Sequence, residues 1–298
     1  MRVDPNLYAS VNASMQQSEQ SLQTAMNQLS SGKRVATPSD DPLAFAGDIQ
    51  STAASAAVDT YTKNSGAVMA QAQMADSALS SVVTSLTQAI STGAEGGNGT
   101  LTSTQRASLA QQVQGLLSSV VNQANTTMNG TALFGGTAGT ATPFVADTSS
   151  PNGYTYHGNS DSNQAQVGQS FSVTVNIPGD QIFTSSSGNV LGSLQSMVTA
   201  LQSGSSTDIA TATSSLNSAI SHVDQIRAIY GNTVNQLTTE NDYLSQETVS
   251  LTSQQDSLVG IDTATAATNL TQAQTAQSAV LAMAAKILPT SLLNYLQN

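Results

Sequence analysis

Apolar residues recur at helical spacing over most of this chain, and the exceptions mark its boundaries. Leu7, Val11, Met15, Leu22, Met26 and Leu29 fall on one face of a helix from about residue 5 to 31. Gly32 stands where a left-handed C-cap would close that helix. Asp41 and Pro42 then read as the cap and first position of a second helix, which no proline interrupts to about residue 92. Val68, Ala75, Val82 and Ala89 repeat there every seven residues, beside Ala72, Leu79 and Leu86. A Gly-rich turn at 93–99 precedes a third helix, about 102–129, carrying Leu109, Val113, Leu116, Val120 and Ala124.

The rhythm changes from residue 130 to 189, where short alternating runs such as 154–157 and 170–178 sit among Gly, Ser and Thr. Period-two alternation between turn residues predicts strands. Helical spacing returns near Val190, breaks at 203–206, and then becomes regular. Leu216, Val223, Tyr230, Leu237, Leu244, Leu251 and Leu258 follow one another at intervals of seven. Such a row is a coiled-coil seam. Its companion row mixes Ile220 and Val234 with Arg227, Asn241 and Thr248, which suggests a seam facing several neighbours. The last segment, from Ile261, starts alanine-rich and ends with Leu281, Ala285, Leu288, Leu292 and Tyr295 on one face. Pro289 is expected to kink this helix or break its last turn.

Length adds a constraint. A helix from Asp208 to Gly260 would run about 80 Å, whereas a compact globule of this size is roughly 50 Å across. The expected fold is therefore mainly α with a small inserted β-rich domain, an elongated rod of long helices. The terminal helices pair in it as a coiled coil, since lone helices are marginal in water. Three parts follow: terminal assembly helices at 1–40 and 262–298, a long-helix part at 41–129 and 190–261, and the β-rich part at 130–189.

Composition narrows the function. Only 8% of the 298 residues are charged, against roughly 25% in an average soluble protein, and the net charge is −11. The seven basic residues are scattered, so no patch exists to neutralise phosphates, and nucleic acid is excluded as a partner. The chain holds no cysteine and no apolar run long enough to span a bilayer, so no membrane insertion is expected. Its first residues lack the apolar core of a signal peptide.

Residues 29–42, Leu-Ser-Ser-Gly-Lys-Arg-Val-Ala-Thr-Pro-Ser-Asp-Asp-Pro, resemble the N-terminal signature of the flagellin superfamily. The Pro-Ser-Asp-Asp-Pro form resembles its hook–filament junction branch. So do 262–279, the ending Ser-Leu-Leu-Asn-Tyr-Leu (291–296), and Asn-Gly-Thr-Ala-Leu-Phe-Gly-Gly (129–136). The resemblance implies a secreted structural subunit of the bacterial flagellum, exported by a type III apparatus without a cleaved signal peptide. It implies packing against copies of itself, a hook-side junction protein and filament flagellin, with an export chaperone on the C-terminal helix. A filament flagellin is the alternative within the same class. A coiled-coil signalling protein or glycan-binding stalk is the alternative outside it.

No residue set argues for catalysis, a metal or a cofactor. His157 and His222 lie in different parts of the pattern and read as surface residues. Residues 31–34, Ser-Gly-Lys-Arg, fail as a phosphate loop because Asn27 and Arg34 replace the required Gly and Ser/Thr. Asp40 and Asp41 are explained by capping beside Pro42. Gly32, Lys33, Arg34, Pro38, Asp40, Asp41 and Pro42 together form the family signature loop. Its Lys33–Arg34 doublet reads either as a solvated loop paired with Asp40 or as a contact for an acidic neighbour.

Overall fold

The sevenfold row that opens at Leu216 lies on a single helix of 54 residues, α6 (Ser206–Val259), and meets side chains of α2 (Pro42–Gly96). The structure, a computed structural model, describes the backbone over residues 5–296 and side chains over 9–286. The other helices are α1 (Pro5–Ser31), α3 (Ser103–Ala124), the short α4 (Gly179–Phe183), α5 (Val190–Ser203) and α7 (Thr263–Leu296). The fold is mainly α with a small strand-rich insert, as the apolar spacing predicts. Contacts divide it into two units, Val58–Ser245 and the combination of Met1–Ala57 with Gln246–Asn298.

In the unit Val58–Ser245, four helices share one core. Leu79, Val82 and Leu86 of α2 meet Val113, Leu117 and Val120 of α3, Leu194, Met197 and Leu201 of α5, and Leu216, Val223 and Tyr230 of α6. The Gly-rich stretch expected as a turn is partly helical, since α2 continues to Gly96. A Cβ on Gly93 or Gly96 would collide with Met197 or Leu201. These glycines serve the close approach of α5 to α2. Helix α3 ends at Ala124, earlier than its spacing suggests, because Asn125 leaves the helix and clamps Phe144. The Asn125 amide donates to Phe144 O and accepts from Phe144 N–H, both at 2.8 Å.

The insert contains three antiparallel strand pairs: β1 (Thr127–Met128) with β2 (Thr131–Ala132), β3 (Phe144–Ala146) with β4 (Tyr154–Tyr156), and β5 (Gln164–Gln166) with β6 (Ser172–Thr174). They are too short to build a core of their own. Phe134, Phe144 and Phe183 stack edge-on at 5.3–5.4 Å and belong to the same core as the helices. Buried Asn176 ties the insert internally, accepting from Asn163 N–H (2.7 Å) and donating to Gly136 O (3.0 Å). Tyr230 of α6 accepts from Ile177 N–H at 3.1 Å, and burial pushes its hydroxyl pKa to about 12. No lysine or arginine occurs between Arg106 and Arg227, so the loops of the insert carry Asp147, Asp161 and Asp180 without a Lys or Arg beside them in sequence.

In the other unit, the α1–α2 loop is strapped to the α6–α7 turn. Gly32 (φ 68°) caps α1 in the left-handed conformation, its N–H donating to Gln28 O. Arg34 N–H donates to Val259 O (2.7 Å), Ile261 N–H donates to Gly32 O (3.2 Å), and Lys33 bridges Gly260. The Arg34 guanidinium reaches Leu258 O at 2.9 Å and Asp41 at 3.4 Å, while Lys33 pairs with Asp48 at 3.5 Å. The doublet thus pairs with Asp41 and Asp48 and not with Asp40. Asp40 is already occupied, accepting from the N–H groups of Thr37 (2.8 Å) and Ala36 (3.0 Å) across the bend that holds Pro38. Asp41 caps α2 through Ala44 N–H (3.1 Å), with Pro42 in the first helical position. Asp262 caps α7 through Ala264 N–H (2.9 Å). Val35, Ala44 and Val259 close a small core beneath the strap. Helix α7 does not stop at Pro289 but runs on to Leu296. Leucine-rich sequence on both sides favours helix enough to absorb one missing N–H.

Two outcomes follow from these contacts. Tyr230→Phe leaves Ile177 N–H without its acceptor and is expected to cost about 1–3 kcal/mol in denaturant unfolding, with helix content unchanged. Backbone N–H groups of Thr37, Ala44 and Ala264 hold Asp40, Asp41 and Asp262 below their usual carboxylate range. A lowered folded-state pKa stabilises above the unfolded value and loses that stabilisation as pH falls through the folded one. Thermal melts should therefore show the strap weakening only below about pH 4. Asp40→Asn with Asp41→Asn should flatten that acid limb.

Candidate assembly surface

Helices α1 and α7 run antiparallel, since the end of one is strapped to the start of the other and the two pack along their length. Little of what touches between them is fully buried. On α1 the inward row is Val11, Met15, Ser18, Leu22 and Ala25, with only Ser18 (8% exposed) and Ala25 (6%) buried. On α7 it is Ala266, Leu270, Ala273, Gln277, Val280 and Ala284, with Ala266 and Ala284 buried. Both rows alternate spacings of three and four, the mark of a two-helix seam. The Ser18 hydroxyl is buried in this seam without a hydrogen-bond partner.

Several other large apolar side chains point outward. Met26 is 53% exposed, Leu29 38%, Leu281 46% and Met283 55%, and Ala285 is exposed too. Of the residues that apolar spacing selects on α1, Val11, Met15 and Leu22 thus face the partner helix, whereas Met26 and Leu29 face out. The side chains of Leu7, Leu288, Leu292 and Tyr295 lie outside the described residues. Sequence reading missed Ser18 and Ala25 on α1 and the whole inward row of α7, Leu270 and Val280 included, because the alanine, serine and glutamine between the apolar residues break up the stripe. The regular spacing of three and four was the available signal. Across the 27 residues of α1 and the 34 of α7, Glu19 and Lys286 are the sole charged residues.

The long seam behaves differently. Leu216, Val223 and Leu237 are fully buried, Tyr230, Leu244 and Leu251 nearly so, and Leu258 packs half-buried against Gly47. The chain satisfies this row itself. Of the polar companion positions, Arg227 is turned to the chain's own residues, pairing with Asp76 of α2 at 2.9 Å and with Asp224 at 3.5 Å. Six of the seven signature-loop residues make the caps and strap contacts described above, and Pro38 sits exposed in their bend.

Polar clusters elsewhere have structural partners. His222 Nε2 lies 2.8 Å from Gln181 O, and His157 is exposed on the insert. Hydrogen bonds from Ser149 and Thr155 lower the Asp147 pKa to about 2, fixing the β3–β4 turn. Among the described residues, no three His, Asp or Glu side chains gather as a metal site would require, and no helix is long and apolar enough to cross a membrane.

Comparison with known proteins places this arrangement. Residues 5–139 match the bacterial flagellin N-terminal helical region, and 213–296 match the bacterial flagellin C-terminal helical region. The chain is 31% identical to flagellar hook-associated protein 3 of Escherichia coli over 259 residues, covering 79% of this chain and 80% of that one. It is 34% identical to the Salmonella typhimurium protein of the same name over 165 residues, 55% of this chain and 50% of the relative. Among solved structures, FlgL of Bacillus cereus superposes with a TM-score of 0.59 at 19% identity, covering 68% of this chain and 97% of that one. The flagellar junction protein FlgL from Legionella pneumophila gives 0.56 at 18% identity, covering 70% and 99%. The helical ends are thus those of bacterial flagellins, and the chain belongs to the flagellar hook-associated protein 3 family.

Proposed function

We infer that this chain is a structural subunit of the bacterial flagellum that joins hook to filament, and that α1 and α7 are where it packs against its neighbours. One observation carries the second half. Among the described residues the terminal helices fully bury only Ser18, Ala25, Ala266 and Ala284, and leave Met26, Leu29, Leu281 and Met283 uncovered on nearly uncharged surfaces. Burying a large apolar side chain is worth about 1.5–3 kcal/mol, so these residues gain more from a neighbouring subunit than from the hairpin they belong to. Screw-related head-to-tail contacts of this kind build open polymers. Stacked copies also repel little when the contacting helices carry almost no charge.

Within this reading, 1–40 and 262–298 form the assembly part, 41–129 with 190–261 the supporting long helices, and 130–189 the part that faces solvent. The partners would be further copies, a hook-side junction protein and filament flagellin. Before assembly an export chaperone would cover α7, and the chain would leave the cell unprocessed through the flagellar export apparatus. The role needs no catalysis.

Three measurements test the proposal. Met26→Glu with Leu281→Glu changes exposed side chains, so circular dichroism should match the parent while co-assembly with hook fragments and flagellin is lost. Removal of residues 262–298 should leave a soluble helical protein that fails to incorporate, and normal incorporation would refute the assignment. A strain lacking the protein should shed flagellin into the medium. Bare hooks with no shed flagellin but intact junctions would instead indicate a filament subunit.

A further inference from the structure

Three Asn-Gly pairs occur in the chain, at 98–99, 129–130 and 152–153, and their surroundings differ in a way that matters for covalent chemistry. An asparagine side chain is lost when the next backbone nitrogen attacks its Cγ. That attack needs a free nitrogen, on the same side of the backbone as Cβ, and an amide oxygen able to take up negative charge.

Asn129 and Gly130 form the two-residue turn between β1 and β2, with φ of 53° and 82°. A left-handed residue has ψ near about +47°, which turns the following nitrogen away from Cβ. Attack there requires the hairpin to open. At the third pair, Gly153 N–H donates to Ser150 O at 2.9 Å inside the β3–β4 turn. Its nitrogen is occupied.

Asn98 is placed otherwise. It lies in the exposed turn between α2 and α3, and open space surrounds Gly99. Gly99 N–H donates to no group among the described residues. The Asn98 side-chain oxygen accepts from Thr100 N–H at 3.2 Å and from the Thr100 hydroxyl at 3.0 Å. The first of these closes a ring that folds the amide over the Asn98–Gly99 peptide. Together the two donors aim at the oxygen where negative charge develops when Cγ is attacked.

We propose that Asn98 is the principal site of spontaneous deamidation in this protein. Gly99 N gives up its proton to solvent and bonds to Cγ of Asn98. The Cγ–Nδ2 bond breaks, and the nitrogen leaves as ammonia after taking a proton. Water then opens the resulting succinimide at either carbonyl, giving aspartate or isoaspartate. The net change replaces an amide NH2 by a hydroxyl, with water as the only co-reactant and no change of oxidation state. The product adds one negative charge near Glu95. In the isoaspartate form it lengthens the main chain just before the capping box of Thr102 and Gln105 that starts α3.

The test is a time course on the full chain at mildly alkaline pH. Digestion at acidic residues is needed, because no Lys or Arg lies between Arg106 and Arg227. Mass spectrometry should find the one-unit mass gain, with isoaspartate present, at Asn98 at least about tenfold faster than at Asn129 or Asn152, a barrier difference of about 1.4 kcal/mol. In urea the three sites should react at similar rates. Faster loss at Asn129 or Asn152 in the folded protein overturns the proposal. So does the same ranking in the unfolded chain, which would make local sequence and not structure the cause. Thr100→Val should slow Asn98 in the folded protein while leaving its rate in urea unchanged. An equal rate in the folded variant removes the hydroxyl from the argument.

Discussion

The burial of one heptad row by the chain itself is the constraint on which this structure rests. From Leu216 to Leu258 every seventh residue of α6 turns inward, and each unit receives part of that row. A repeat of seven on a helix of 3.6 residues per turn keeps its apolar edge on one side only if a partner follows it. Helix α2 supplies that partner, with Asp76 receiving Arg227 of the companion row. Once this edge is consumed internally, it is unavailable to other molecules. Whatever joins this chain to its neighbours must be sought elsewhere.

The terminal helices meet that requirement by an opposite choice of residues. A seam that fully buries only Ser18, Ala25, Ala266 and Ala284, with Val11, Met15, Leu22, Leu270 and Val280 half-buried, removes little apolar surface from water. Alanine adds helix propensity without bulk, so α1 and α7 can be helical without a thick shared core. The strap at Gly32 to Asp41 compensates by fixing where the pair begins. Caps, a left-handed glycine and backbone bonds to Val259 and Gly32 position the helices without needing hydrophobic contact.

Much of this was legible in the residues. The long helices, the cap at Asp41, the left-handed Gly32 and the break at 203–206 all announce themselves through spacing or through residues with one preferred backbone role. Other features were hidden for physical reasons. Gly93 and Gly96 look like turn residues, yet they remain in a helix because α5 needs the room. Asn125 looks like an ordinary helix position until its amide is seen clamping Phe144. The inward row of α1 was legible only at Val11, Met15 and Leu22, because its buried members Ser18 and Ala25 are too small or polar to stand out. Pro289 was read by its intrinsic tendency alone, and the helix continues through it. Met26 and Leu281 were recognisable as apolar, but which way each faces depends on the register of two helices far apart in the chain.

The strand-rich insert has one further property worth following. It is the segment with the shortest elements and the most exposed turns, features that ordinarily invite proteolysis. Yet it lies wholly between Arg106 and Arg227 and presents neither of the side chains that trypsin-like enzymes require. A surface of serine, threonine, glycine and a few acids can remain loosely built while offering such enzymes nothing to grip. For a flagellar subunit, durability against that class of attack would then come from what its loops omit, without any added rigidity.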